Sequence, residues 1–160
     1  MRLSQLAQNC RWGGLLGGVA IALISLQLVA RADPHTVTLA PGFTPNPTRL
    51  SGTGGGDRPA ATVVNTRDTP TGPCLGYLTA TPHVEVTLQA RFTQLEMRVE
   101  SERDTTLVIA GPGGVWCNDD SGSPNPAIAG QWLPGTYRLW VGAYQPQEAP
   151  TYELYITDQS

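Results

Sequence analysis

The sequence predicts an all-β protein, an antiparallel sandwich or barrel following an N-terminal leader. Three observations carry this. Apolar and polar residues alternate with period two in run after run beyond Pro82. Turn chemistry separates these runs at spacings near ten residues. Past the leader, no stretch shows helical periodicity.

The leader comes first in chain order. Arg2 and Arg11 form a positive start, and Gly13 to Ala30, "GGLLGGVAIALISLQLVA", is apolar apart from Ser25 and Gln27. Ala30-Arg31-Ala32 then supplies a small-x-small cleavage site. This order of parts is that of a secretory signal peptide, expected over residues 1–32 as a cleaved signal helix. A retained membrane anchor is the alternative, although about 20 apolar residues are needed to span hydrocarbon. Cys10 precedes the apolar run and so is not placed to carry a lipid.

Residues 33–73 are rich in Pro, Gly and Thr. "PGFTPNPTRLSGTGGGDRP" breaks any helix. "VTLA" and "ATVV" have β-branched character and are expected as short strands, either part of the sandwich or beside a disordered linker. Gly54-Gly55-Gly56 is expected to be the most mobile point.

The periodic strands follow. Val84, Val86 and Leu88 alternate with Glu85, Thr87 and Gln89. Leu95, Met97 and Val99 alternate with Glu96, Arg98 and Glu100. Leu107 and Ile109 form a third pair. Tyr137, Leu139 and Val141 alternate with Arg138, Trp140 and Gly142; Tyr152, Leu154 and Ile156 alternate with Glu153 and Tyr155. Each run presents one face to a core. "SERD", "GPGG" and "LPGTY" supply the reversals, with Pro134 and Gly135 central to a type II turn.

Charge and cysteines narrow the function. The chain has a formal charge of −3, with ten Lys+Arg residues, all of them arginine. Removing Arg2, Arg11 and Arg31 with the leader leaves −6 on the rest. A negative domain without a basic stripe argues against nucleic acid and anionic membrane surfaces. Cys74 and Cys117 remain as an even pair, which in an exported chain reads as a disulfide. Two free thiols are the alternative. The loop-entropy model assigns a bridge of this span about 4 kcal/mol.

The stretch "DTTLVIAGPGGVWCNDDSGSPNPAIAGQWLPGTYRLWVGAY", ending in a "TYELYIT" strand, resembles the bacterial pre-peptidase C-terminal domain. That family's rhythm is a D-T-x-L strand, a turn, an N-D-D-like loop, a P-G-T-Y strand with V-G-x-Y near its end, and a closing strand. The likeness covers residues 74–157, so residues 74–160 are expected as the core domain. It implies a jelly-roll-like β-sandwich of non-catalytic kind. Such domains usually end secreted peptidases; this one is expected to stand alone or to have its partner on another chain.

Candidate sites follow from these readings. Asn118, Asp119 and Asp120 are hard oxygen ligands suited to calcium, with Asp104, Glu100 and Glu102 as further donors if the loops meet. The resemblance supports calcium, because related collagen-binding domains hold it. The competing role is that Asn and Asp cap their own turn. Trp116 and Trp132 flank this loop in sequence, and Trp140 and Tyr155 face away from their strands' apolar sides. Exposed, these aromatics would stack on sugar rings or a peptide. Covered by the N-terminal segment, they would serve packing instead.

Enzymatic residues are scarce. His35 and His83 are the histidines, and Ser121 or Ser123 near Asp119 lack a G-x-S-x-G elbow. The expectation is a non-enzyme: an exported, periplasmic or extracellular binding or accessory module, monomeric, whose partner is an envelope or extracellular protein or polysaccharide. A calcium-stabilised structural domain of the envelope is the alternative, and an unrecognised hydrolase a third.

Overall fold

In the computed structural model, residues 33–160 are described. The expected signal segment, residues 1–32, and Cys10 lie outside the described residues. The described chain runs β1 (His35–Leu39), β2 (Thr48–Thr53), β3 (Arg58–Pro59), α1 (Ala60–Val63), β4 (Asp68–Thr69), β5 (Gly72–Pro73), β6 (Tyr77–Leu78) and β7 (Val84–Leu88). It continues as β8 (Phe92–Glu100), β9 (Thr105–Gly111), β10 (Gly114–Asn118), β11 (Ala127–Trp132), β12 (Gly135–Ala143) and β13 (Thr151–Asp158).

Two sheets form a sandwich. The larger centres on β12, which pairs with β9 along one side and with β7 and then β6 along the other. β1 extends it beyond β7, β10 beyond β9 and β3 beyond β6. The smaller has the order β11-β8-β13-β2. Its pairings are antiparallel, whereas β1 joins β7 in parallel, from His35 opposite Val84 to Leu39 opposite Leu88. Hence the strands are antiparallel except at that edge.

Alternation explains the core between the sheets. Val84, Val86, Leu88, Leu107, Ile109, Tyr137, Leu139 and Val141 face inward from the larger sheet. Leu95, Met97, Val99, Ile128, Trp132, Tyr152, Leu154 and Ile156 answer from the smaller one. Burying each aliphatic chain contributes about 1.5–3 kcal/mol before entropy is counted.

The larger sheet also has a covered outer face. Val108, Ala110 and Trp140, with Cys117 of β10 and Leu78 of β6 beside them, pack there under Ala60 and Cys74. This is why β9 reads as a continuous apolar run: six of its seven residues are buried. The cover comes from residues 58–78. Part of "ATVV", expected as a strand, instead lies in the single helical turn α1. Pro59 precedes it, the Ala60 amide bonds the Gly76 carbonyl at 2.9 Å, and Val63 and Val64 pack against the cluster that contains Trp140.

Gly54-Gly55-Gly56 also differs from expectation. Gly54 and Gly55 are buried, and their amides bond Pro150 and Val141 carbonyls at 2.8 and 2.9 Å. Gly55 (φ +86°) and Gly56 (φ +154°) take conformations that L side chains rarely adopt. A side chain at Gly56 would run into the backbone of Leu78 and Thr79. The run is a close crossing against β12, not a loose hinge.

Candidate functional site

Cys74 and Cys117 form a disulfide, with Cα atoms 5.0 Å apart. The bridge holds the small β4–β5 hairpin against β10. The bonding there passes through side chains: Cys117 N–H donates to Thr69 and Thr71 Oγ1 at 3.1 and 3.2 Å, and Thr71 Oγ1 donates to Cys117 O at 2.9 Å. Thr69 and Thr71 were not singled out from sequence, because a threonine in a turn-rich stretch reads as turn chemistry.

The loop after Cys117 is pinned by its two asparagines. Asn118 Nδ2 donates to Thr71 O and its Oδ1 accepts from Ala127 N–H, both at 3.2 Å. Asn125 Nδ2 donates to Ser101 O at 2.9 Å, and its Oδ1 accepts from Thr105 Oγ1 at 2.8 Å. Asn118 is therefore spent on the loop itself. Asp104 lies on the facing loop. Its carboxyl is pushed above the ordinary carboxylate range by partial burial and then by the charges of Asp120, Asp119 and Glu148. Asp119 and Asp120 thus neighbour Asp104, joined by Glu148, whereas Glu100 pairs with Arg98. Among the described residues, no three His, Cys, Asp or Glu side chains are placed to share one metal ion.

The tryptophans do not join this loop. Ala127 at the start of β11 sits beside it, but Trp132 lies five residues on, about 17 Å along an extended strand. Trp132 is 3% exposed, donates Nε1–H to Leu95 O at 3.0 Å and meets Trp116 and Tyr137 at centroid distances of 4.9 and 5.2 Å. Trp140 is 4% exposed beneath the 58–78 cover. Neither ring is free to stack on a ligand, which corrects the expectation of an aromatic platform at Trp132 and Trp140. The half-buried Trp116 belongs to the same inner aromatic group.

Tyr155 is placed differently. It lies on the outer face of the smaller sheet, where Arg49 on β2 and Arg98 on β8 are its register partners. Their guanidinium carbons stand 5.9 and 5.1 Å from the ring centroid, a cation–π geometry. Its hydroxyl donates to Glu153 Oε2 at 2.6 Å. Glu153 pairs with Arg49, and Arg98 with Glu100 and, at 3.7 Å, Glu96. Beside this lattice lies a shallow recess of about 700 Å³ lined by Ser51, Thr53, Glu100, Ser101, Thr151 and Glu153. The outward alternation of Glu96, Arg98 and Glu100 was legible; Arg49 was not, lying in the Pro-rich stretch.

His83 sits inside the fold, its Nδ1 accepting the Val141 amide at 3.2 Å. Burial holds its pKa below the ordinary 6.5. His35 is exposed on β1, and Ser121 and Ser123 are exposed on the acidic loop.

No family model matches the sequence. An uncharacterised protein of Synechococcus elongatus is 29% identical over 143 residues, covering 87% of this chain and 92% of that one. Among solved structures, the pre-peptidase C-terminal domain of a collagenase from Bacillus anthracis aligns with a TM-score of 0.44 at 12% identity, over 80% of this chain and 100% of that one. PliG, a periplasmic lysozyme inhibitor of g-type lysozyme from Aeromonas hydrophila, aligns with a TM-score of 0.40 at 15% identity, over 78% and 98%. The first is a domain of the type that the sequence resembles.

Proposed function

We propose that this protein is an exported, non-catalytic binding or accessory module that engages an envelope or extracellular polysaccharide or protein through the outer face of its smaller sheet. One observation carries the reading. The larger sheet has its outer face covered by residues 58–78, whereas the smaller sheet leaves Tyr155 and its arginine neighbours as a polar surface beside the recess. Rigid aromatic and arginine groups are the residue types that anchor interfaces. The commitment of His83 to a backbone bond supports a non-catalytic role. The disulfide supports an oxidising compartment. Labelled envelope polysaccharide and envelope protein fractions are expected to bind the wild type and not an Arg98→Glu/Tyr155→Ala variant of equal melting temperature. Equal binding by both would refute the surface.

Calcium binding is a second reading, favoured by the gathering of Asp119, Asp120 and Glu148 around Asp104. Asn118 does not fit it, since its Oδ1 is engaged by Ala127. The acidic loop would have to close on Asp104 to build a ligand set. A ligand held only by the native state raises the melting midpoint. A midpoint unmoved by calcium and by chelator would remove this reading.

A further inference from the structure

The recess beside Tyr155 has a neighbour on the same face of the smaller sheet. The first, of about 700 Å³, lies over β2 and β13 and is lined by Ser51, Thr53 and Thr151 among others. The second, of about 430 Å³, lies over the start of β11 and the loop before it, with Arg98, Ser121, Ser123 and Asn125 in its lining. Glu100 and Ser101, at the end of β8, line both. In the sheet order β11-β8-β13-β2 the two recesses therefore flank β8. Together they run across the strands.

The polar walls are already held in place. Glu153 is fixed by Arg49 and by the Tyr155 hydroxyl, and Glu100 by Arg98. Ser101 Oγ donates to Thr151 O at 2.8 Å and accepts from Arg103 N–H at 3.1 Å. Groups fixed in advance lose little entropy when a ligand arrives. Their chemistry selects the ligand. Glu100 and Glu153 are each matched by an arginine, so a cation gains little there, and the exposed Glu102 beside the first recess repels an anion. A protein partner needs an apolar centre to its interface. The exposed large apolar side chains among the described residues, Leu75, Leu133 and Tyr144, line neither recess. Hydroxyl, amide and carboxylate groups dominate the lining. A hydroxyl both donates and accepts, so an uncharged chain bearing many hydroxyls can satisfy them one after another.

We propose that the two recesses are halves of one groove for a neutral polysaccharide chain, lying across the strands from Thr53 on β2 to Ser123 beyond β8. This rests on the surface reading above and selects polysaccharide over protein as the occupant. From β2 to β11, three strand spacings of about 4.8 Å span about 14 Å, the length of about three hexose units. Glu100 and Ser101 stand at the middle of that span, so one chain reaches both recesses by passing over them.

The test is a residue-resolved NMR titration of the full chain with neutral glucan, mannan and galactan oligomers of one to six units, and with oligogalacturonate as the anionic control. At least one neutral series is expected to shift the amides of Thr53, Ser101 and Ser123, with affinity rising about tenfold from one unit to three and then levelling. Ser51→Ala/Thr53→Ala and, separately, Ser121→Ala/Ser123→Ala are each expected to weaken the three-unit oligomer about tenfold at an unchanged melting temperature. Shifts confined to one recess, affinity independent of chain length, a preference for oligogalacturonate, or no shift with any series overturns the groove. If envelope protein fractions bind the wild type but not Arg98→Glu/Tyr155→Ala while no oligomer binds, the groove fails and the surface reading survives. If neither oligomers nor envelope fractions bind, both fail.

Discussion

The Val141 amide donates to Nδ1 of His83 at 3.2 Å, so a side chain stands where a strand neighbour would otherwise complete the β12 ladder. β7 pairs with β12 as far as Leu139, and β6 joins it at Ala143. In the gap, His83 takes the Val141 N–H and the Gly55 amide takes the Val141 carbonyl. Nδ1 accepts only while it is unprotonated, and burial already lowers the pKa from 6.5. The unfolded chain takes up a proton below about pH 6.5 while the folded chain resists. Stability is therefore full above that pH and lost as pH falls through the depressed folded value. The nearby Tyr152 stays uncharged throughout, since burial raises its pKa. The urea midpoint is expected to drop from about pH 7.5 to pH 5 more steeply in wild type than in His83→Asn, whose Oδ1 stands in for Nδ1 without titrating. Equal slopes would contradict the assignment.

The glycine crossing gives a second prediction. Gly55 has φ +86°, and a side chain there would press on the Glu148 carbonyl. Gly55→Ala combines backbone strain with a backbone collision and is expected to cost about 2 kcal/mol or more in urea unfolding. Gly130 has open space around its Cβ position and no positive φ. Gly130→Ala is expected to stay within about 0.5 kcal/mol of wild type. Similar losses at both sites would mean that the crossing is not tight.

Trp140 and Tyr155 have the same outward phase in sequence and opposite fates in space. Trp140 lies under Ala60 and the disulfide, whereas Tyr155 stays on an uncovered face. Trp140→Ala is expected to cost about 3–5 kcal/mol as a large-to-small core change. Tyr155→Ala removes a partly exposed ring and is expected to cost about 1 kcal/mol or less. Chemical denaturation of the two variants decides it; a reversed order would place the cover on the wrong sheet.

This contrast marks how far the sequence could be read. Alternation gave the inward residues of β7, β8, β9, β12 and β13 but not Ile128 and Trp132 of β11, since period two is a local property of each strand. It could not say which sheet's outer face is covered, because that depends on where residues 58–78 return. Nor did Gly54-Gly55-Gly56 reveal itself, since glycine serves a loose loop and a close crossing equally well. Asp119 and Asp120 do neighbour Asp104, whereas Trp132 is carried to the other end by β11.

Breaking the Cys74–Cys117 bridge is expected to act locally before it acts globally. The two cysteines are separated by 43 residues, for which loop entropy gives about 4 kcal/mol. The segment released first is the β4–β5 hairpin, because its grip on β10 is limited to Thr69, Thr71 and Asn118 bonds. Arg67 is exposed just before it, and its carbonyl accepts the Cys74 amide at 2.7 Å. In Cys74→Ala/Cys117→Ala, trypsin is expected to cut after Arg67 under conditions where the strands of both sheets remain protected. Local opening with a small free energy exposes such a site while the rest of the fold persists. Resistance equal to wild type would show that the threonine bonds hold the hairpin without the sulfurs; cleavage only at the global midpoint would make the hairpin part of one cooperative unit.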